Sequence, residues 1–131
     1  MASHLWYLDS GATSSMTWNR TIFINYVHSA SKTETVTSAS GYEMNILGRG
    51  EVPLRISMRG TDKTIILKNV LHVPDCSMQL LSVKALGNQG FTILFEKDKA
   101  TISDENREIL LIAKSEGEKF LYSITPVICS C

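Results

Sequence analysis

Short runs of β-branched and aromatic residues, cut at close intervals by turn residues, set the tightest limit on what this chain can fold into. Residues 33–38 are rich in Thr and Val, and 42–47 alternate in polarity around Met44 and Ile46. Ser40-Gly41 between them reads as a turn, so the pair reads as a hairpin. Much of it is polar on both faces, which suits a hairpin that projects rather than packs. In 51–58, Val52, Leu54, Ile56 and Met58 share one face, with Pro53 and Arg55 on the other, a pattern that suits an edge or a strand start. The turn 59–62 leads to a long apolar strand over 63–73, a second hairpin. Further strands are expected near 23–27 and over 91–95, 99–103, 108–112 and 120–124, with 91–95 buried. Only 78–86 has helical spacing, with Ser77 placed to cap its start and Gly87 to close its end. Many short strands, one helix and no strand–helix–strand rhythm predict an all-β barrel or sandwich.

The 131 residues suffice for one domain with one modest core. We place it at 5–125, with 126–131 as a C-terminal tail. Hydrophobic content of 44% and charged content of 20% fit a globular protein. Thirteen basic and thirteen acidic residues cancel, and no basic stripe is interleaved with aromatics, which argues against a nucleic-acid partner. No apolar run reaches membrane-spanning length, and no secretory leader opens the chain. Cys76, Cys129 and Cys131 lack metal or disulfide-framework spacing, so free thiols in a reducing compartment are expected. His4, His28 and His72 are scattered; no metal and no cofactor is expected.

Leu5-Trp6-Tyr7-Leu8-Asp9-Ser10-Gly11-Ala12-Thr13 stands apart. Its apolar run reads as a buried strand, and Ser-Gly after it as a tight turn. Asp9 is therefore delivered from a core strand onto a loop. A carboxylate placed there either caps a turn in solvent or does chemistry. Asp-Ser/Thr-Gly is the signature of aspartic proteases, in which two such loops each give one aspartate to a shared site. This chain holds the motif once; Asp62, Asp75, Asp98 and Asp104 are followed by other residues. If it is such an enzyme, two copies must meet.

Three blocks, in order, resemble the protease of copia-type LTR retrotransposons, a relative of the retroviral proteases. They are Trp6 to Thr13; Leu67-Lys68-Asn69-Val70-Leu71-His72-Val73-Pro74-Asp75 with Gln79-Leu80-Leu81-Ser82-Val83; and Gly90-Phe91-Thr92-Ile93-Leu94-Phe95. The resemblance implies a small closed retropepsin-like β-barrel with one short helix, active as a homodimer. It implies that Asp9 is catalytic and that the Ser10 hydroxyl bonds across the dimer. Gly11 would offer its carbonyl to substrate, and Ala12 and Thr13 would line the cleft. It implies a flap over roughly 34–50 whose tip is Ser38, Ala39, Ser40, Gly41 and Tyr42. Leu80, Leu81 and Ser82 match the pattern of two apolar residues and glycine before the helix, with serine in the glycine's place. Ile46-Leu47-Gly48-Arg49 fits that pattern better by letter, but comes too soon after Asp9 to leave room for a flap, and no helix-like stretch follows it. Copia-type members often carry histidine where this chain has Ser15, and the flap tip is poor in glycine.

The implied activity is cleavage of the element's own Gag-Pol polyprotein in cytoplasmic virus-like particles, without metal or cofactor, nucleic acid or membrane. The alternative is a catalytically silent, domesticated barrel that binds peptide or dimerises.

Overall fold

The computed structural model describes residues 4–31, 33–38, 40–116 and 119–126. The chain opens with β1 (Trp6–Asp9) and β2 (Met16–Thr17), then a 3₁₀ turn at Arg20–Ile22 and β3 (Ile24–His28). A small hairpin, β4 (Thr35–Thr37) and β5 (Glu43–Asn45), precedes the long hairpin of β6 (Gly48–Met58) and β7 (Thr61–His72). Next come β8 (Gln79–Ser82), helix α1 (Val83–Asn88), β9 (Thr92–Phe95), β10 (Lys99–Ser103), β11 (Ile109–Glu116) and β12 (Lys119–Ile124). The expected all-β architecture with one short helix is the one that forms.

Ten strands make one sheet in the order β3-β6-β7-β2-β8-β1-β12-β11-β10-β9, and β4-β5 make a second sheet of their own. The expected barrel closure is not made by hydrogen bonds: among the described residues no ladder joins β3 to β9. The sheet instead folds over so that its halves meet through side chains. Val52, Leu54, Ile65 and Leu67 of the long hairpin share one core with Ala100, Ile102, Leu111 and Ala113 of β10 and β11. Burying each large aliphatic side chain there is worth roughly 1.5–3 kcal/mol, and that apolar burial holds the halves together. A second, smaller cluster holds Met16, Ile46, Leu71, Val73 and Cys76, with Val36, Met44 and Leu80 packed against it.

Local chemistry explains the joints. The turn between β6 and β7 is Arg59-Gly60, both at positive φ, the hairpin geometry that matches strand twist. Pro53 lies beyond the end of β3, whose pairing with β6 stops at Ile24↔Glu51, so its missing N–H interrupts no ladder on that side. Asn69 sits at φ 54 where the β6–β7 register shifts. The extra residue lets Val70 face the main core and Leu71 the second cluster.

Several expectations change. The small hairpin packs as well as projects: Ile46 is buried, and Val36 and Met44 rest against the same cluster. Gly87 lies inside the helix, which runs to Asn88 and is closed by Gln89. Residues 79–82 are strand, so the helix begins at Val83, and its cap is Ser82 rather than Ser77. Parallel pairing of β8 with β1, from Trp6↔Gln79 to Asp9↔Ser82, claims the residues whose spacing looked helical. Residues 92–95 form the expected strand, but it is a sheet edge: Leu94 is 59% and Phe95 43% exposed.

Candidate functional site

Asp9 ends β1, in the middle of the sheet between β8 and β12. Trp6 and Leu8 point into the core, so by strand alternation Tyr7 and Asp9 face away from it. Asp9 is half-buried, and Ser10, Gly11 and Thr13 are exposed on the loop after it. The Gly11 N–H donates to Asp9 Oδ1 at 2.8 Å. A Cβ on Gly11 would lie 3.3 Å from that same oxygen, so glycine keeps the approach to the carboxylate open.

The loop is tied down from behind. The Ser82 hydroxyl donates to the Ala12 carbonyl at 2.7 Å. It also accepts the Ala85 N–H at 3.0 Å, capping α1. The Ser82 N–H donates to Ser15 Oγ at 2.9 Å. The Leu71 N–H donates to the Ser15 carbonyl at 2.9 Å. Leu80, Leu81 and Ser82 therefore sit beside the Asp9 loop and lead into the only α-helix among the described residues, whereas Gly48 opens the long strand β6.

A cleft of about 310 Å³ lies in front of the carboxylate. Asp9 and residues 11–14 form one side, Met16, Leu71 and Leu80 an apolar floor, and Val36, Thr37 and Ser38 of the small hairpin the other side. The hairpin expected to act as a flap thus faces the expected acid. Its turn is held by the Ser38 N–H to the Tyr42 carbonyl, 2.8 Å, and the Gly41 N–H to the Ser38 carbonyl, 2.9 Å. Gly41 takes φ +88, which glycine allows. Ser40, Gly41 and Tyr42 project beyond the cleft lining, with Tyr42 75% exposed. Ala39 lies outside the described residues, as do the tail from 127 and its Cys129 and Cys131.

Met16 and Leu71 in the floor carried no sequence signal of a site. Leu71 follows an apolar neighbour and is turned to the cleft only by the Asn69 bulge. A larger cleft, about 470 Å³, is lined by Trp6, Val52, Leu54, Arg55 and Gln79 among others, but by no carboxylate. Chemistry favours the smaller one.

The base of the hairpin is clamped. Leu47 donates its N–H to the His72 carbonyl, and its own carbonyl accepts the Ser29 N–H. Glu34 pairs with Arg49 and accepts from Ser29 Oγ. Gly48 lies flat against the Tyr26 ring, and a Cβ there would also come 2.7 Å from the Val27 carbonyl oxygen. That close approach lets Tyr26 Oη reach His72 Nδ1, 2.8 Å away. Burial holds the His72 pKa below the usual histidine value; a backbone hydrogen bond to Trp18 opposes this, and the Arg20 and His28 charges add to it. Burial raises the Tyr26 phenol, against the pull of the Arg20 guanidinium stacked on its ring. Cys76 is buried, and chiefly for that reason its thiol is pushed up to about 11, so it stays protonated at neutral pH. Among the described residues no group of three or more His, Cys, Asp or Glu is placed to hold a metal ion, and no helix is long and apolar enough to cross a membrane.

The molecule is thus an all-β domain that presents an acid loop to a cleft faced by a separate hairpin. Residues 6–91 match the family described as "Pol polyprotein, beta-barrel domain", and the chain belongs to that family. It is 31% identical over 124 residues to the "Retrovirus-related Pol polyprotein from transposon TNT 1-94" of Nicotiana tabacum. The alignment covers 95% of this chain and 9% of the tobacco polyprotein, so the chain spans less than a tenth of that relative's length. No solved structure matches it. The region is therefore part of a retrotransposon-type Pol polyprotein; the family description specifies a barrel domain and no activity.

Proposed function

We propose that this domain is an aspartic endopeptidase that acts as a homodimer, with Asp9 of each copy forming one catalytic pair. The observation that carries the reading is the cleft. An outward carboxylate at a strand end, an unobstructed Gly11 beside it and the inner edge of a hairpin all border one apolar-floored groove. The Asp-Ser-Gly motif occurs once, so the second acid comes from a second copy.

In that dimer two carboxylates lie too close for both to ionise cheaply, and they share one proton, as in known aspartic proteases. The pair titrates as a unit. The ionised partner takes a proton from a bound water as the water oxygen attacks the peptide carbonyl. The protonated partner donates to the carbonyl oxygen. Collapse of the tetrahedral species breaks the C–N bond: the departing amine takes the proton that the pair drew from the water, and a hydroxyl of the gem-diol returns its proton to the pair. Proton transfer of this kind is worth about 10²–10⁴ in rate, with positioning and electrostatics supplying the rest. Substrate lies extended between the Asp9 loops and the hairpins, held by backbone hydrogen bonds of the strand-addition type. Hairpin closure excludes water. The substrate is the Gag-Pol polyprotein of the element, cut in cytoplasmic virus-like particles.

The test is Asp9→Asn. The amide can still accept the Gly11 N–H, so stability should hold within about 0.5 kcal/mol while cleavage of a polyprotein substrate disappears. Residual cleavage by the variant would remove Asp9 from the mechanism. A wild-type protein that dimerises or binds peptide without cutting would favour the silent barrel.

A further inference from the structure

The sequence departs from the patterns it resembles at Ser15 and Ser82, and the structure brings these two serines together. Ser15 is 2% exposed and Ser82 fully buried. The Ser82 N–H donates to Ser15 Oγ, and the Ser82 hydroxyl donates to the Ala12 carbonyl while accepting from Ala85. Ser82 lies opposite Asp9 in the β1–β8 register. A glycine in its place would leave the Ala12 carbonyl and the Ala85 N–H without that hydroxyl.

We infer that Ser82, supported by Ser15, is the positioning residue of the acid loop: its hydroxyl fixes the Ala12 peptide, and through it the exit angle of Asp9. This rests on the proposed peptidase reading. The loop itself is exposed from Ser10 to Gly11, where the Gly11 N–H makes a short-range hydrogen bond to Asp9. Its direction is therefore set at its far end. There Ala12 is held by Ser82, and Ser15 by both the Ser82 N–H and Leu71. One hydroxyl joins the acid loop, strand β8 and the first turn of α1. A proton shared between two acids needs both carboxylates held in place, and small misplacements cost heavily. A serine that only capped a six-residue helix would affect stability and nothing else.

The experiment compares Ser82→Ala, Ser82→Gly and Ser15→Ala with wild type, each scaled to folded protein. Loss of the hydroxyl should lower kcat about ten-fold, leave KM little changed, and displace the pH profile of kcat/KM, because the spacing of the paired acids sets both limbs. Unaltered kcat and pH profile in folded Ser82→Ala, with only the melting temperature lowered, would overturn the inference. If Ser82→Ala does not fold, Ser15→Ala carries the same test from the other end of the contact. Amide exchange at Gly11 and Thr13 gives a readout independent of catalysis. Faster exchange there in Ser82→Ala is expected, and unchanged exchange would also overturn the inference. Wild-type protein that cuts no peptide, combined with faster loop exchange in Ser82→Ala, would leave the brace standing and defeat the peptidase reading.

Discussion

At the scale of single residues, the chemistry divides between groups kept available and groups kept silent. Asp9 reaches a cleft, whereas Cys76 and His72 are buried. His72 carries the clearer consequence. Its Nδ1 meets the Tyr26 hydroxyl and its carbonyl holds Leu47 at the hairpin base. Its pKa is lowered in the fold, chiefly by burial, so the unfolded chain binds the proton more readily. The neutral ring therefore contributes stability in full above about pH 6.5, the unfolded value. That contribution is lost as pH falls from there towards the lowered folded value. Denaturant unfolding at pH 7 and pH 5 should show wild type weaker at pH 5. His72→Asn should be weaker than wild type at pH 7 but should lose less on acidification. Equal losses in both proteins would place the acid sensitivity elsewhere.

At the scale of elements, the small hairpin is the part that stands apart. Its two strands pair only with each other, and it rests on the second cluster through Val36 and Met44. Placing alanine at Gly41, φ +88 with open space around it, strains the tip by about 1–2 kcal/mol without a clash. Amide exchange at Ser38, Gly41 and Ile46 should rise roughly five- to thirty-fold, while the thermal midpoint of the ten-stranded sheet stays put. A parallel fall in the midpoint would mean that hairpin and sheet open as one unit. This hairpin was legible in the sequence, as were nearly all the strands, because β-branched runs and Gly or Asp turns are local signals. The Asp9 loop was legible for the same reason. What the sequence hid is what long-range pairing decides. Gln79 to Ser82 has helix-like spacing, and only β1 makes it a strand. Phe91 to Phe95 looks like a core strand, and only its place at the sheet margin exposes Leu94. Likewise, the letters show Ser82 only as a substitute for glycine; its partners Ala12 and Ser15 lie 70 and 67 positions earlier in the chain. Barrel closure could not be read either, since apolar faces that pack and strands that pair use the same residues.

At the scale of the whole molecule, the proposed pairing of one Asp9 from each of two copies ties activity to association. Specific activity should fall on dilution through the dimer dissociation constant, in step with the sedimentation coefficient, because a lone copy has no acid–base pair. Full activity at all dilutions would contradict the pairing. The sheet order carries one more consequence. The strand that bears the acid lies between β8 and β12, so its neighbours are the Gln79–Ser82 segment and a strand ending at Ile124. On a ribosome making about 5–20 residues per second, the two ends of that arrangement emerge on the order of ten seconds apart. Within this domain the aspartate is thus translated well before the strand that seats it, and β1 lacks one of its two sheet neighbours until β12 has emerged.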